Sequence, residues 1–326
     1  MTTRDKVWGM LLGVGVGDAL GRPVEGWTCE DVRCTFGRIE KYIVPEGWPA
    51  DRKAGTTTDD CQLSIAVADG LLASGGKLEM DAQVQAHINA YNESVQGWGP
   101  TTFGVARRLV QGVPWRQAGA RGGRIIGTGT GAVMKLSATA LLLVQRVPGA
   151  VRFIANLVSM THQTSVAVSA GLAHVSGLSY CLQVEPAKFD AAEFVRVVVE
   201  ASKRGRRYFP DTLTEENITE RFGLCHDFAE WPPERCVAEM QNGRNHVYHS
   251  LPFTYLFFLR QPKSVESLYD VVSAGGDTDT NGSMAGSLLG ALNGKAVFPT
   301  HHMEELEGGD RLVRTANRLC DLFGIE

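Results

Sequence analysis

The hydrophobic positions of the chain fall into long runs rather than short alternating ones. Such runs are typical of buried helices, because a single strand rarely exceeds about eight residues. Ala and Gly recur inside them, and small side chains let neighbouring helices approach closely. The pattern predicts a compact bundle whose central helices are apolar on nearly every side. The four runs are residues 61–72, 132–144, 166–182 and 283–292.

Amphipathic segments at residues 80–92, 191–203 and 265–272 are predicted to form an outer layer of helices. Only residues 38–44 look like a strand, and no hairpin dipeptide separates two alternating runs. We therefore predict an all-α fold, organised as a helical bundle.

Three longer segments rich in Gly, Pro or charge are predicted to be loops. None of them resembles a flexible linker, and the chain shows no fixed-period repeat. We expect a single domain over residues 1–326 with working loops. The three segments are residues 44–57, 112–129 and 204–231.

Charge and cysteine content narrow the class of protein. With 32 basic and 36 acidic residues, the chain has no net field that would attract nucleic acid or an anionic membrane. Seven scattered cysteines without a Cys-x-x-Cys pair argue against disulfides and thiolate metal sites, and fit a reducing cytoplasm. The apolar run at residues 7–20 contains four glycines and reaches Asp18 without the small-residue cleavage site of a secretory signal, and it is too short and too Gly-rich to span a membrane. We expect a cytoplasmic monomer without membrane or nucleic-acid partners.

Two helix starts carry paired carboxylates. Asp59 and Asp60 follow Thr58 directly before an apolar run, and capping of that helix explains this motif when it is taken alone. The second pair is Asp277 and Asp279, in an Asp-x-Asp-x-Asn-Gly sequence that imitates a calcium loop. An EF-hand needs a Glu at loop position twelve, but a leucine stands there, so the EF-hand interpretation fails.

Two buried helices that both begin with paired carboxylates would repel each other unless cations lie between them. Oxygen ligands without nearby Cys or His pairs suit Mg²⁺ or Mn²⁺ better than Zn²⁺. Four carboxylates can hold two such ions about 3.5–4 Å apart and orient one water between them. The sequence therefore predicts a site for two divalent cations.

A glycine-rich loop at residues 127–132 matches the pattern G-x-G-x-x-A. A helix starting near Ala132 would offer free amides to a phosphate. A dinucleotide-binding fold is disfavoured, because no βαβ unit surrounds the loop and residues 147–151 contain no acid for a ribose.

These motifs, in this order and spacing, resemble the ADP-ribosylglycohydrolase family over nearly the whole chain. The resemblance implies an all-helical domain that holds two Mg²⁺ or Mn²⁺ ions at the bottom of an ADP-ribose cleft. Residues 17–21 with Glu25 are similar to the first helix and turn of the family, residues 58–60 to its first metal motif, and residues 275–280 to its second.

The resemblance also implies roles for individual residues. Glu25 is implied to approach the metals and handle the proton of the water, although without the resemblance it reads as a surface residue in a turn. Asp279 is implied to bridge both ions, and it forms the catalytic set together with Glu25 and Asp60. The implied metal ligands are Glu25, Thr58, Asp59, Asp60, Asp277, Asp279 and Thr280.

The glycine-rich loop is implied to wrap the ribose and phosphates of ADP-ribose. The chain departs from the family at Thr130, where Asn is usual, and at Lys135, where Arg is usual. His162 is implied to lie near the ligand, whereas a lone histidine before an apolar helix is more often a cap. The implied substrate-binding residues are Gly127, Thr128, Gly129, Thr130, Gly131, Ala132 and His162.

The loop at residues 97–102 resembles a family segment that lines the cleft, where relatives can carry a further acid. Here Glu93 is the nearest carboxylate. Trp98 in this loop either flanks the substrate or acts as a packing plug, and the sequence favours neither.

The implied function is hydrolysis of an N-glycosidic bond that releases ADP-ribose from a modified target, with mono-ADP-ribosyl-arginine on a protein as the leading substrate. The alternatives are another ADP-ribosyl linkage (serine, poly-ADP-ribose, nucleic acid or a small ester) and a non-catalytic ADP-ribose-binding relative. A dimetal phosphohydrolase acting on the pyrophosphate is a third possibility. Sequence alone does not choose between the linkages.

Overall fold

The computed structural model is built from α-helices and 3-10 turns, and it contains no β-strand within the residues that it describes. The all-α prediction is confirmed. The described residues are 1–44, 46–48, 52–121, 126–209, 217–225, 231–240 and 243–326. The helices are α1 (Thr3–Gly21), α2 (Cys29–Phe36), α3 (Asp59–Ala73), α4 (Met80–Glu93), α5 (Pro100–Val110), α6 (Trp115–Ala118), α7 (Ala140–Val144), α8 (Ala150–Thr161), α9 (Ser165–Gln183), α10 (Ala191–Gly205), α11 (Ile218–Gly223), α12 (Pro233–Glu239), α13 (Val247–Arg260), α14 (Glu266–Ser273), α15 (Thr278–Asn293), α16 (Thr300–Glu304) and α17 (Gly309–Phe323).

Most predicted helices appear within a few residues of their expected limits, but two predictions are wrong. Residues 132–144 do not form one helix: a 3-10 turn at Ser137–Thr139 precedes the short helix α7. Thr130 lines a cavity, and residues 132–142 on both sides of the break are buried. Residues 38–44 do not form a strand, because the Ile39 amide donates to the side chain of α14 residue Ser273 instead of a neighbouring strand.

The predicted loops are confirmed only in part. The second contains the short helix α6 and the third contains α11. Parts of all three segments lie outside the described residues.

The backbones of helices α1 and α15 are in contact at four pairs of positions. Glycines recur at every fourth position of α1, which places them on one face of the helix. A Cβ atom on Gly13 would lie 2.0 Å from the carbonyl oxygen of Gly286, so only glycine fits. The seam brings the start of α15 beside the end of α1. The four pairs are Gly9 with Gly290, Gly13 with Gly286, Gly17 with Gly282, and Gly21 with Thr278.

Helix α9 lies at the centre of the bundle and packs against α8, α10, α13 and α15. By length and composition it is apolar enough to cross a membrane, but 89% of that apolar window is buried inside the protein. We interpret it as a core helix, since burial by neighbouring helices accounts for an all-round apolar surface.

Candidate active site

The start of α3 is fastened to α1 by a buried carboxylate. Asp18, which is fully buried, accepts hydrogen bonds from the Thr58 amide at 2.8 Å, the Thr58 hydroxyl at 2.9 Å and the Cys61 amide at 3.1 Å. Burial raises the pKa of Asp18 to about 6, although these hydrogen bonds oppose the shift. Because the Thr58 hydroxyl donates to Asp18, its oxygen keeps a lone pair for another partner. Asp18 thus positions Thr58 and, through it, Asp59 and Asp60.

The turn that carries Glu25 is held against the loop that carries Asp277. The Gly26 amide donates to the carbonyl of Gly276 at 2.7 Å, and the Gly276 amide donates to the carbonyl of Trp27 at 2.9 Å. These two bonds join segments that are far apart in sequence. They explain how a glutamate in a turn comes to face the start of α15.

Carboxylates from both motifs converge. One oxygen each from Glu25, Asp277 and Asp279 lies within 4.8 Å of the other two. The Thr280 hydroxyl donates to Asp60 Oδ2 at 3.1 Å, which links the start of α15 to the start of α3. Within the described part of the chain, Asp60 Oδ1 and Asp277 Oδ2 are buried and have no hydrogen-bond partner.

The electrostatics of the cluster fit a cation. Burial, together with the charge of the neighbouring Glu25, raises the pKa of Asp277 to about 7, although a hydrogen bond with Thr130 opposes the shift. The pKa values of Asp59, Asp60 and Asp279 are well above the usual range of a carboxyl group, first because of burial and then because of neighbouring carboxylates. A hard divalent cation relieves both effects, and carboxylate and hydroxyl oxygens are the ligands that it prefers. The residues present therefore fit such an ion.

A cavity of about 430 Å³ opens beside this cluster, within the size range of small-molecule sites. Its lining includes residues implied to hold metal and residues implied to bind the substrate. Thr58 and Asp60 are buried next to the cluster and do not line the cavity. The predicted residues that line it are Glu25, Asp59, Asp277, Asp279, Thr280, Gly129, Thr130, Gly131 and His162.

The glycine-rich loop divides into a lining part and an anchoring part. Gly129, Thr130 and Gly131 line the cavity. The carbonyl of Gly127 accepts from the Thr164 hydroxyl at 2.6 Å, and the carbonyl of Thr128 accepts from the amide of Val247 at 3.0 Å. Ala132 is buried. The expected helix does not start at Ala132, because residues Thr130–Ala132 form a 3-10 turn. The amides of the glycine-rich loop are therefore not at the N-terminus of a long helix.

His162 lies at the junction of α8 and α9, and its ring faces the cavity. Its Nδ1 atom is 2.9 Å from the hydroxyl oxygen of Thr161. Burial, together with the nearby charge of Lys135, lowers the pKa of His162 to about 3, so the ring is neutral.

The structure decides between the two interpretations of Trp98, in the loop at residues 97–102. Trp98 is buried, donates from Nε1 to Gln62 Oε1 at 2.8 Å, and meets Tyr91 edge to face. It does not line the cavity, so it is a packing plug. Glu93 forms an ion pair with Arg311 at 2.8 Å and also lies away from the cavity.

Sequence reasoning missed several residues of the site. Asn245, Met134 and Ile126 line the cavity, although no motif singled them out. Asn245 arrives there because Val247, two residues later, donates to the glycine-rich loop. Asp18 lay inside a motif noted in the sequence, but its contact with Thr58 had no local signal.

Sequence similarity relates the chain to a known protein family. The profile of the ADP-ribosylglycohydrolase family matches residues 1–325. An uncharacterized protein of Archaeoglobus fulgidus is 25% identical and aligns over 98% of this chain and 97% of its own length. The human ADP-ribosylhydrolase ARH3 is 24% identical, over 97% of this chain and 93% of its own. The ADP-ribosyl-[dinitrogen reductase] glycohydrolase of Rhodospirillum rubrum is 24% identical, over 94% and 92% respectively.

The fold is also that of a solved relative. The structure of an ADP-ribosylglycohydrolase-related protein complex superposes with a TM-score of 0.72 and 23% identity, covering 99% of both chains. At that identity the likeness speaks for the fold alone. The family profile spans nearly every residue, and the chain therefore belongs to the ADP-ribosylglycohydrolase family of hydrolases.

Proposed function

We propose that the protein removes ADP-ribose from mono-ADP-ribosyl-arginine on a protein by hydrolysing the N-glycosidic bond, with two divalent cations, Mg²⁺ or Mn²⁺, as cofactors. The observation that carries the proposal is the pair of buried, unpartnered oxygens, Asp60 Oδ1 and Asp277 Oδ2, in a carboxylate cluster beside the cavity. The name of the Rhodospirillum rubrum relative supports a protein target.

The side chains of the two acidic helix starts, Asp279 among them, together with Glu25 are proposed to be the residues that would hold the cations. Bound cations would supply Lewis-acid chemistry and lower the pKa of a water. The proposed ligands are Glu25, Thr58, Asp59, Asp60, Asp277, Asp279 and Thr280.

The residues of the chain then divide the hydrolysis between them. Glu25, whose pKa burial raises, is proposed to accept the proton of the attacking water. The water oxygen bonds to the anomeric carbon as the bond from that carbon to nitrogen breaks. The guanidine departs neutral and takes up a proton afterwards, after an oxocarbenium-like state. Asp60 and Asp279 complete the proposed catalytic set as residues that would hold the cations.

The loop at residues 127–132 and His162 are proposed to bind ADP-ribose. A Cβ atom on Gly129 would be in van der Waals contact with His162 Nε2 at 3.5 Å, so the glycine leaves the space between the loop and the ring free of a side chain. The anchored carbonyls of Gly127 and Thr128 keep this part of the loop in place without occupying the cavity.

The decisive experiment is incubation of the full chain with a panel of defined ADP-ribosyl linkages, with Mg²⁺, Mn²⁺ or a chelator, followed by mass spectrometry. The proposal expects intact ADP-ribose from the arginine linkage and loss of that product with chelator. Release from another linkage instead reassigns the substrate, and AMP identifies a phosphohydrolase. Binding of ADP-ribose without any product identifies a non-catalytic relative.

We further propose that the protein acts in the cytoplasm as a single-domain monomer. Light scattering measures the mass in solution, and cell fractionation measures the location. A dimer mass or a membrane-bound fraction contradicts the proposal.

A further inference from the structure

A second pocket, of about 340 Å³, lies on the other side of the loop at residues 94–99 from the cavity. Thr58 and Gln96 line this second pocket, whereas the residues that follow them, Asp59 and Gly97, line the cavity. A Cβ atom on Gly97 would lie 3.0 Å from the Cβ atom of Thr58, so the loop and the start of α3 are in contact there. A single layer of residues therefore separates the two spaces.

The loop between the two spaces is held in place by Gln62 of α3. The Gln62 amide donates to the carbonyls of Ala90 at 2.8 Å and Ser94 at 3.0 Å. Its side-chain oxygen accepts from Nε1 of the buried Trp98 at 2.8 Å. These bonds tie both ends of the loop to one helix. The fold thus sets the distance between the second pocket and the cavity, as a recognition site requires.

The same loop forms an edge of the mouth of the cavity. Gly97, Gly99 and Pro100 all line the cavity and are exposed to solvent. A Cβ atom on Gly97 would lie 3.2 Å from Asp59 Oδ1, so this edge is next to the carboxylate cluster. Under the proposed function, the bond that breaks lies at the cluster and joins ADP-ribose to the target. The target polypeptide therefore passes close to this edge where it leaves the cavity.

The chemistry of the second pocket suits a polar, uncharged side chain. Apart from Cys61, Ile65 and Gly308, the residues that line it carry hydroxyl, amide or charged groups. The charged ones are of both signs: Arg52, Arg311, Glu93 and Glu307. Mixed charge does not select for an acidic or a basic partner, whereas hydroxyl and amide groups can hydrogen-bond to a neutral one.

We propose that the second pocket is a subsite for the target polypeptide, and that it takes a neutral polar side chain two positions away from the modified arginine. Side chains two positions apart lie on the same face of an extended chain, about 7 Å from each other. That spacing lets an extended chain cross a single layer of residues, with the modified arginine at the cavity and the second side chain at the pocket. The inference rests on the proposed function, which supplies the target.

The first test uses short alanine peptides whose central arginine carries ADP-ribose. Two positions before or after that arginine, the peptides carry either glutamine or leucine, which are similar in size. The full chain with Mg²⁺ is expected to prefer glutamine in one of the two series, with kcat/KM about fivefold higher, roughly the contribution of one hydrogen bond. Equal values in both series, or a preference for leucine, overturn the proposal.

The second test fills the pocket. Gln96→Trp places a large ring at its edge and is expected to abolish the preference for glutamine through a higher KM, with kcat unchanged, because the pocket lies away from the bond that breaks. Free ADP-ribosyl-arginine, which has no neighbouring residue, should be hydrolysed at the normal rate. The control is Gln111→Trp, because Gln111 is exposed at the end of α5 and lines neither space. It should keep the preference.

The outcomes separate this inference from the proposed function. An unchanged preference in Gln96→Trp overturns the subsite. If Gln96→Trp also slows hydrolysis of the free substrate, its ring reaches the cavity, and Arg52→Ala becomes the decisive variant, because Arg52 lines the second pocket and not the cavity. The same loss of preference is expected there. If the unmodified chain releases ADP-ribose from free ADP-ribosyl-arginine but shows no peptide preference, only the subsite fails. If it does not hydrolyse the free substrate, the proposed function fails and this inference fails with it.

Discussion

The starts of α3 and α15 carry the same local signal but are built differently. At α3 the side chain of Thr58 caps the helix, and Asp18 holds that threonine in turn. At α15 the N-cap residue is Asp277, and its side chain makes no capping hydrogen bond. The capping explanation therefore holds for Thr58 at α3 and not for Asp277 at α15, where Asp279 instead accepts from the Thr280 amide within the first turn at 2.8 Å. An acidic residue at a helix start that does not cap the helix is free to serve a site.

The largest effect on metal binding and turnover is expected from removing a carboxylate at the start of α15, which tests the difference between the two helix starts most directly. Asp279→Asn removes one charge and one carboxylate from the proposed metal site, so at least one metal should be lost and turnover should fall below detection. Metal analysis and ADP-ribose release measure both effects. The matched control is Asp310→Asn, which changes an exposed carboxylate in the first turn of α17. Two bound metals and near-normal release in Asp279→Asn would show that Asp279 is only part of a helix start.

A smaller loss is expected at the turn that faces both helix starts. Glu25→Gln should leave most of the metal site assembled and impair mainly the proton transfer, which typically contributes about 10²- to 10⁴-fold in rate. Slow hydrolysis should remain measurable by the same release assay. The variant needs its metal content measured first, because a rate loss accompanied by loss of metal would assign Glu25 to binding instead.

A smaller effect on metal binding is expected from changing Asp18, which positions Thr58 at the start of α3. Asp18→Asn replaces an oxygen that accepts from Thr58 with an amide, and partners behind metal ligands typically contribute about 10- to 100-fold in metal affinity. Titration with Mn²⁺ measures the change. The control is Asp190→Asn, because Asp190 caps α10 by accepting from two amides in an exposed position. Equal metal affinity in the two variants would separate Asp18 from the site.

The mildest test uses pH alone. Burial raises the pKa of Asp277 to about 7 in the folded, metal-free chain, above the value of an unfolded aspartate. A raised folded pKa contributes stability that is complete below the unfolded pKa and is lost as pH rises through the folded one. The Tm of the metal-free protein should therefore fall between about pH 4 and pH 7. Saturating Mg²⁺ should flatten that fall, and a Tm that rises with pH without metal contradicts the account.

Local sequence patterns were sufficient for most of the helices and for the two acidic helix starts, whereas Glu25 was assigned to the cluster only through the family resemblance. Residues Asp59 and Asp279 belong to motifs that mark a helix start, and a helix start is a local property. The 3-10 break before α7 and the contact between Asp18 and Thr58 were not predictable in this way. Both depend on what the rest of the fold brings next to them, and packing overrides local propensity at such points.

The α1–α15 seam also dictates when the site can exist. The Thr278 hydroxyl donates to the Gly21 carbonyl across 257 positions of sequence. Helix α1 therefore cannot pack against α15 until the ribosome has made most of the chain. Contacts of such long range are intrinsically slow to form. Until α15 emerges, the glycine face of α1 remains uncovered on the nascent chain, a condition that favours misassembly and chaperone binding. The metal site is thus expected to be among the last features of the newly made protein to become competent.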